Sequence, residues 1–131
     1  MEIGKANVAL MGSKLTIVTY GMGVHWSLEA SKTIDGLEII DLCTLMPWDK
    51  ETESKSVKKT NKSLVLHEDC ISGGIGAEIA AWIGSHCFKD LDAPVLRLGS
   101  LDTPVPFSND LEQNFLPQAR LLEQLDYLLK Y

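Results

Sequence analysis

Short apolar runs alternating with stretches of helical period organise this chain. Lys14–Tyr20 (KLTIVTY), Leu37–Leu42 (LEIIDL), Leu64–Leu66 and Val95–Gly99 (VLRLG) are rich in β-branched and aliphatic residues. They have the length of strands buried on both faces. Between them the period changes. Val24, Leu28 and Ser31, with Ala30 and Ile34 nearby, predict a helix over 24–32 with a narrow apolar face, after Gly21 and Gly23 have ended the first strand. Pro47 keeps the next helix from beginning earlier, and Asp49 can cap it. Its acidic start (Glu51, Glu53) and basic end (Lys55, Lys58, Lys59) suit the helix dipole, and Val57 is its one firm apolar anchor.

The central stretch is Ser63–Phe88. A strand ends at His67-Glu68-Asp69, Gly73-Gly74-Ile75-Gly76 turns the chain, and Ile75, Ile79, Trp82, Ile83 and Cys87 recur on one helical face. Pro117 opens a closing helix whose apolar face is Leu121, Leu122, Leu125, Leu128 and Leu129, and the chain runs to Tyr131 without a polar tail. Met1–Gly12 shows no period and reads as an irregular arm. Ser100–Leu116 shows none either, and Pro104 and Pro106 lie within it. Strand–helix alternation predicts an α/β fold with a mostly parallel sheet and helices on both faces. In such a sheet Tyr20-Gly21, Asp41, His67-Glu68 and Gly99-Ser100 collect along one acidic edge, where open α/β folds keep their ligand or partner sites.

Length and charge narrow the function. The 131 residues suit one domain, 1–131. A net charge of -6, with no Lys/Arg stripe, argues against a nucleic-acid partner. Cys43, Cys70 and Cys87 are odd in number and far apart, which predicts free thiols in a reducing cytoplasm. No run approaches the ~20 apolar residues of a membrane span, and residues 1–7 lack the apolar core of a signal peptide.

Candidate chemistry is sparse. The Gly73–Gly76 turn invites an anion at the following helix N-terminus, yet Ile79 stands where a dinucleotide fingerprint has its third glycine and the acidic loop repels phosphate. The alternatives are a small-molecule or anion-binding module using this turn, or simple tight packing. His67 and Glu68 are adjacent and so point to opposite faces of a strand; the choice lies between an acid/base couple and a histidine bonded to backbone or a partner. Cys70 as a nucleophile is weighed against an ordinary loop thiol. Trp26 and Trp82 suit core or interface anchors better than cofactor stackers.

Taken in order, Gly4-Lys5-Ala6, LTIVTYG, Ile39-Ile40-Asp41-Leu42, Thr44-Leu45-x-Pro47-x-Asp49, Leu66-His67-Glu68, Gly73-Gly74-x-Gly76-x-Glu78-Ile79, Ala93-Pro94-Val95-x-Arg97 and Asp102-Thr103-Pro104-x-Pro106 carry a resemblance. The chain resembles the C-terminal domain of the beta subunit of 2-oxo acid dehydrogenases of the pyruvate and branched-chain type, within the transketolase C-terminal superfamily. The resemblance implies an α/β/α fold on a five-stranded mixed sheet with one antiparallel edge strand, the fifth strand lying in Met1–Leu10 or Asp102–Phe107. It implies a piece of a longer oxidoreductase chain, cytoplasmic or in the mitochondrial matrix, in a homo- or hetero-oligomer. It further implies that thiamine diphosphate and magnesium are held by the rest of the beta subunit and the alpha subunit, so that this chain alone holds no catalytic, cofactor or metal residue. Its role would be subunit assembly and binding of the dihydrolipoyl acyltransferase docking domain, with Asp41, His67, Glu68, Asp102 and Tyr131 as candidate interface residues. Cys43 stands where the family pattern has arginine, which removes that arginine's ion pair.

Overall fold

A computed structural model describes residues 2–131. Five strands form one sheet: β1 (Asn7–Leu10), β2 (Leu15–Thr19), β3 (Leu37–Asp41), β4 (Ser63–Cys70) and β5 (Leu96–Ser100), in the spatial order β1-β3-β2-β4-β5. β1 runs antiparallel to β3, with Asn7 opposite Asp41, and the other pairings are parallel. The expected fifth strand therefore lies in the arm that reads as irregular. Its four residues are exposed or half-buried, so no buried alternation marks them. Met1 lies outside the described residues.

The central strands are apolar on both faces because both faces are covered. Ile17, Leu37, Leu64, Leu66 and Leu98 pack beneath α1 (Met22–Ser31) and α5 (Gln118–Lys130). Val18, Ile40 and Val65 pack beneath α2 (Lys50–Thr60) and α3 (Gly76–His86). Ile17 and Val18 point to opposite sides, as do Leu64 and Val65, which is the strand period at work.

Three expectations are corrected. α1 buries Gly23, Trp26, Ser27 and Ala30 rather than Val24, Leu28 and Ser31. α5 buries Leu121, Leu125 and Leu128, leaves Leu129 half-buried, and leaves Leu122 48% exposed. The stretch after β5 holds a helix, α4 (Asn109–Phe115), whose Phe115 is buried and whose Phe115 carbonyl accepts from the Leu101 amide at 3.1 Å.

α2 is seated largely by polar groups. Glu53, Ser56, Val57 and Thr60 form a complete buried stripe, i, i+3, i+4, i+7, of which only Val57 is apolar. Thr16 of β2 is within 2.7 Å of both the Ser56 and the Thr60 hydroxyls. Ser56 donates to Glu38 Oε1 at 2.6 Å, Gly12 N donates to Oε2 at 3.1 Å, and Lys59 pairs with the same carboxylate. Burial pushes the Glu38 carboxyl up, but the Lys59 and Ser56 bonds and the Gly12 amide outweigh it and hold the group below its ordinary value. The network satisfies a buried charge that would otherwise be costly.

Candidate functional site

Because β2 to β5 are parallel, the loops leaving them share one edge of the sheet. The first turn of α1, the 42–49 loop, the 71–75 turn and the 101–108 segment meet there, and the arm enters β1 at the same edge, since β1 runs the other way. The 101–108 segment is tied to the glycine turn. Asp102 accepts from Ser72 N at 2.9 Å and from Ser72 Oγ at 2.6 Å, Ile71 N donates to Ser100 O at 3.0 Å, and Arg97 donates to Ile71 O at 2.8 Å. The Ser72 bonds hold the Asp102 carboxyl below its usual range.

The predicted site residues take different places. Asp41, half-buried at the end of β3, accepts from the Cys43 amide at 3.1 Å. This bond closes a turn in which Cys43 adopts φ 57°, an uncommon conformation for a side chain with a Cβ. Glu68 and Asp102 are exposed on the shared edge. Tyr131 is exposed at the opposite end of the sheet, where its ring meets Tyr127 edge to face at 6.0 Å. There it lines an open groove of about 650 Å³ with Gly84, Phe88, Pro94 and Val95. The candidate residues thus form two surfaces at opposite sheet ends.

His67 belongs to neither surface, because it is 0% exposed and β4 continues past it to Cys70. Its ring fills the space under the glycine turn. A methyl group added at Gly76 would lie 2.3 Å from ring atoms Cδ2 and Nε2, one at Gly99 2.5 Å from Cε1, and one at Gly74 3.2 Å from Cε1. Neither ring nitrogen has a hydrogen-bond partner among the described residues. Burial holds the imidazole below its ordinary value, against the pull of Asp69, so the ring is neutral at pH 7. Walled off from Glu68 and from water, it has no route to act as an acid/base couple.

The same geometry decides the glycine turn. Gly73, at φ 80°, reverses the chain, while Gly74 and Gly76 are small because the His67 ring lies against them. The room these two glycines leave on the inner side of the turn is therefore taken by the ring, and Asp69 lies beside Gly74. Among the described residues no group of three or more His, Cys, Asp and Glu side chains converges as a metal site, and no helix is long and apolar enough to cross a membrane. A recess of about 330 Å³ at the edge is walled by Glu68, Asp69, Cys70, Val105, Glu112 and Phe115, with Cys70 Sγ 3.9 Å from Thr103 O.

What the sequence reading missed is the apolar character of this edge. Ile3 is 81% exposed, Met46 76%, Val105 65% and Phe107 fully so, with Met22 and Leu101 also exposed. All belong to segments that start or end at the edge. The prolines at 104 and 106 were the only signal of the outermost of these.

Comparison with known proteins places the chain among relatives. The family model "Transketolase, C-terminal domain" matches residues 4–121. The 2-oxoisovalerate dehydrogenase subunit beta of Bacillus subtilis is 40% identical over 88% of the chain and 37% of its own length. The pyruvate dehydrogenase E1 component subunit beta of Cyanidium caldarium is 38% identical over the whole chain and 42% of its own. The mitochondrial pyruvate dehydrogenase E1 component subunit beta of Caenorhabditis elegans is 41% identical over 91% of the chain. The chain spans about two fifths of the length of such relatives. A split gene transketolase, solved as an inactive beta4 tetramer, superposes with a TM-score of 0.82 at 24% identity, over 99% of the chain and 43% of that protein.

Proposed function

The chain belongs to the transketolase C-terminal domain family, in the form found in 2-oxo acid dehydrogenase beta subunits, and from that premise we propose that it is the assembly and docking domain of such an enzyme. The observation that carries this reading is the exposed apolar side chains of the carboxyl edge, Val105 and Phe107 foremost. Isolated apolar residues on a surface are ordinary, but a cluster brought to one edge by four separate segments marks a surface that another body covers. The partners on this reading are the rest of the beta subunit and the alpha subunit at the carboxyl edge. The acyltransferase docking domain would meet the groove beside Tyr131 and Phe88 at the other end. On the same reading thiamine diphosphate and magnesium belong to the partners, and the His67 ring packed under the glycine turn supports it.

Two measurements test this. In the longer beta subunit, Phe107→Asp is expected to weaken subunit assembly about 30-fold, the scale of one buried aromatic anchor, while leaving the thermal midpoint of the 131-residue chain unchanged. Deletion of Tyr131 is expected to spare assembly and weaken acyltransferase docking instead. Assembly undiminished by Phe107→Asp overturns the reading. Separately, calorimetry of the chain with thiamine diphosphate and magnesium is expected to show no binding; a dissociation constant in the micromolar range contradicts the assignment of the cofactor to the partners.

A further inference from the structure

Glu53 is a buried acid that nothing in the assembly reading uses. It lies in the first turns of α2, 0% exposed, in the layer that also holds Val57, Ile83 and Cys87. Its Oε2 accepts from Trp48 Nε1 at 2.7 Å, while Oε1 has no partner among the described residues. A carboxylate left half-satisfied out of water is costly, and protonation is its cheapest relief.

The surroundings link this acid to the N-terminal arm. Asp49, one helical turn earlier, caps α2 by accepting from Thr52 N at 3.1 Å and from Thr52 Oγ1 at 2.8 Å. Its Oδ2 also accepts from Ala6 N at 3.1 Å, and Thr44 Oγ1, in the preceding loop, accepts from Gly4 N at 3.3 Å. The arm is thus fastened to the same loop and helix start that Glu53 underlies. Asp49 is 5% exposed, and its bonds to Thr52 and Ala6 overcome burial and hold it ionised.

We propose that Glu53 is a proton-operated latch: as a neutral acid it keeps Trp48, the first turn of α2 and the arm seated together, and on ionisation it loosens them. The mechanism is local electrostatics. An ionised Glu53 stands at i+4 from ionised Asp49, an unfavourable spacing for like charges, and it faces Asp49 inside the protein rather than across water. The groups facing it are Asp49 and Lys50 from its own helix and the Cys87 thiol from the end of α3, which burial pushes up and keeps neutral. Lys5 of the arm faces Asp49. The cation nearest to hand is committed elsewhere, since Lys50 Nζ lies 4.6 Å from the centroid of the Trp48 ring and 5.7 Å from that of Trp82, itself stacked on His86 at 4.3 Å. Neutralising the new charge therefore requires Lys50 to leave the two indoles, which changes the exposed face of this corner.

Burial, only partly opposed by the Trp48 bond and by Lys50, pushes the Glu53 carboxyl up to about 7. A group raised in the folded state stabilises the fold fully below its unfolded value, and that stability is lost as pH rises through the folded value. Here the loss spans 4.5 to about 7 and levels off above it. Integrated, the shift raises the unfolding constant roughly 300-fold across that window.

The test is a pH series on the 131-residue chain and on Glu53→Gln, which keeps the acceptor for Trp48 without a titrating proton. Denaturant unfolding from about pH 4 to about pH 8 is expected to show the ratio of unfolding constants, wild type to Glu53→Gln, rising roughly 300-fold, a ratio in which the opposing contributions of His67, Glu38 and Asp49 cancel. The backbone amide signals of Gly4, Ala6 and Thr52 are expected to move with the same midpoint. If Glu53→Gln does not fold, the carboxyl carbon resonance of Glu53 in the wild type decides together with those amides: a shared midpoint above about 6 supports the latch, and a Glu53 midpoint below about 6 overturns it. A carboxyl that titrates near 7 while the Gly4 and Ala6 amides stay still also overturns it, because the acid then holds no arm.

Discussion

Gly76→Ala is expected to destabilise the chain by about 3 kcal/mol or more, the largest loss from any single added methyl at this turn. The new Cβ would stand 2.3 Å from two atoms of the His67 ring, and the ring has no retreat, because Gly99 confines it from β5 and Gly74 from the turn. Overpacking of a core side chain costs roughly 1–3 kcal/mol when neighbours can shift, and here the neighbours are backbone. Two companions separate this cause from helix propensity. Gly84→Ala, in the same helix with nothing within 4 Å of the added carbon, is expected to stabilise by about 0.5–1 kcal/mol. His67→Ala leaves a cavity and is expected to cost on the order of 2 kcal/mol by itself, yet to cost much less in the Gly76→Ala background, where it removes the clash. Denaturant midpoints of the four proteins give the coupling. A Gly76→Ala chain as stable as wild type, or strictly additive costs, would show that the ring does not rest on the glycine.

This turn also shows how far residues can be read. Gly73 to Gly76 after a strand announced a strand-to-helix reversal, and the reversal is there, but the same glycines gave two readings, a cradle for an anion or close packing. What separates the readings is the position of a side chain six to nine residues upstream, and sequence spacing alone does not carry it. β4 was read too short for a related reason. His67, Glu68, Asp69 and Cys70 are polar, yet the ladder to β5, broken by a register shift after Leu66, resumes at Cys70 opposite Ser100, so the strand runs on where its side chains no longer mark it. α2 went further in the same direction. Its buried stripe is Glu53, Ser56, Val57 and Thr60, so a search for apolar period found one anchor where there are four, three of them serving through hydrogen bonds or a neutral acid. The parallel core strands were legible throughout, since a strand covered on both faces needs an unbroken apolar run and has one.

The closing helix gives the second large effect, and it separates a pattern from its burial. Leu125→Ala is expected to cost about 3 kcal/mol, within the range for deleting a buried leucine whose surroundings cannot fully collapse. Leu125 is 0% exposed and sits with Leu121 and Leu128 over the face formed by Leu64, Leu66 and Leu98. Leu122→Ala is expected to cost well under 1 kcal/mol although the two leucines lie on one helix. At 3.6 residues per turn successive residues are about 100° apart, so positions 121, 125 and 128 fall within roughly 60° of one another, while 122 lies about a quarter turn away. Leu122 accordingly faces a cleft of about 210 Å³ shared with Trp26 and Thr33 and stays 48% exposed. The far end of the helix is held by a different device: Lys62, ahead of β4, donates to the Leu129 carbonyl at 3.1 Å, a cation at the negative end of the dipole. Arg120 near its start donates to the Gly99 carbonyl at 2.8 Å, so removing Leu125 loosens the middle of α5 while both ends stay tethered, and the midpoint should fall in one cooperative step. Equal losses from Leu122→Ala and Leu125→Ala would mean that the whole apolar face is covered in solution, by a partner or a second copy seated on the α1–α5 layer.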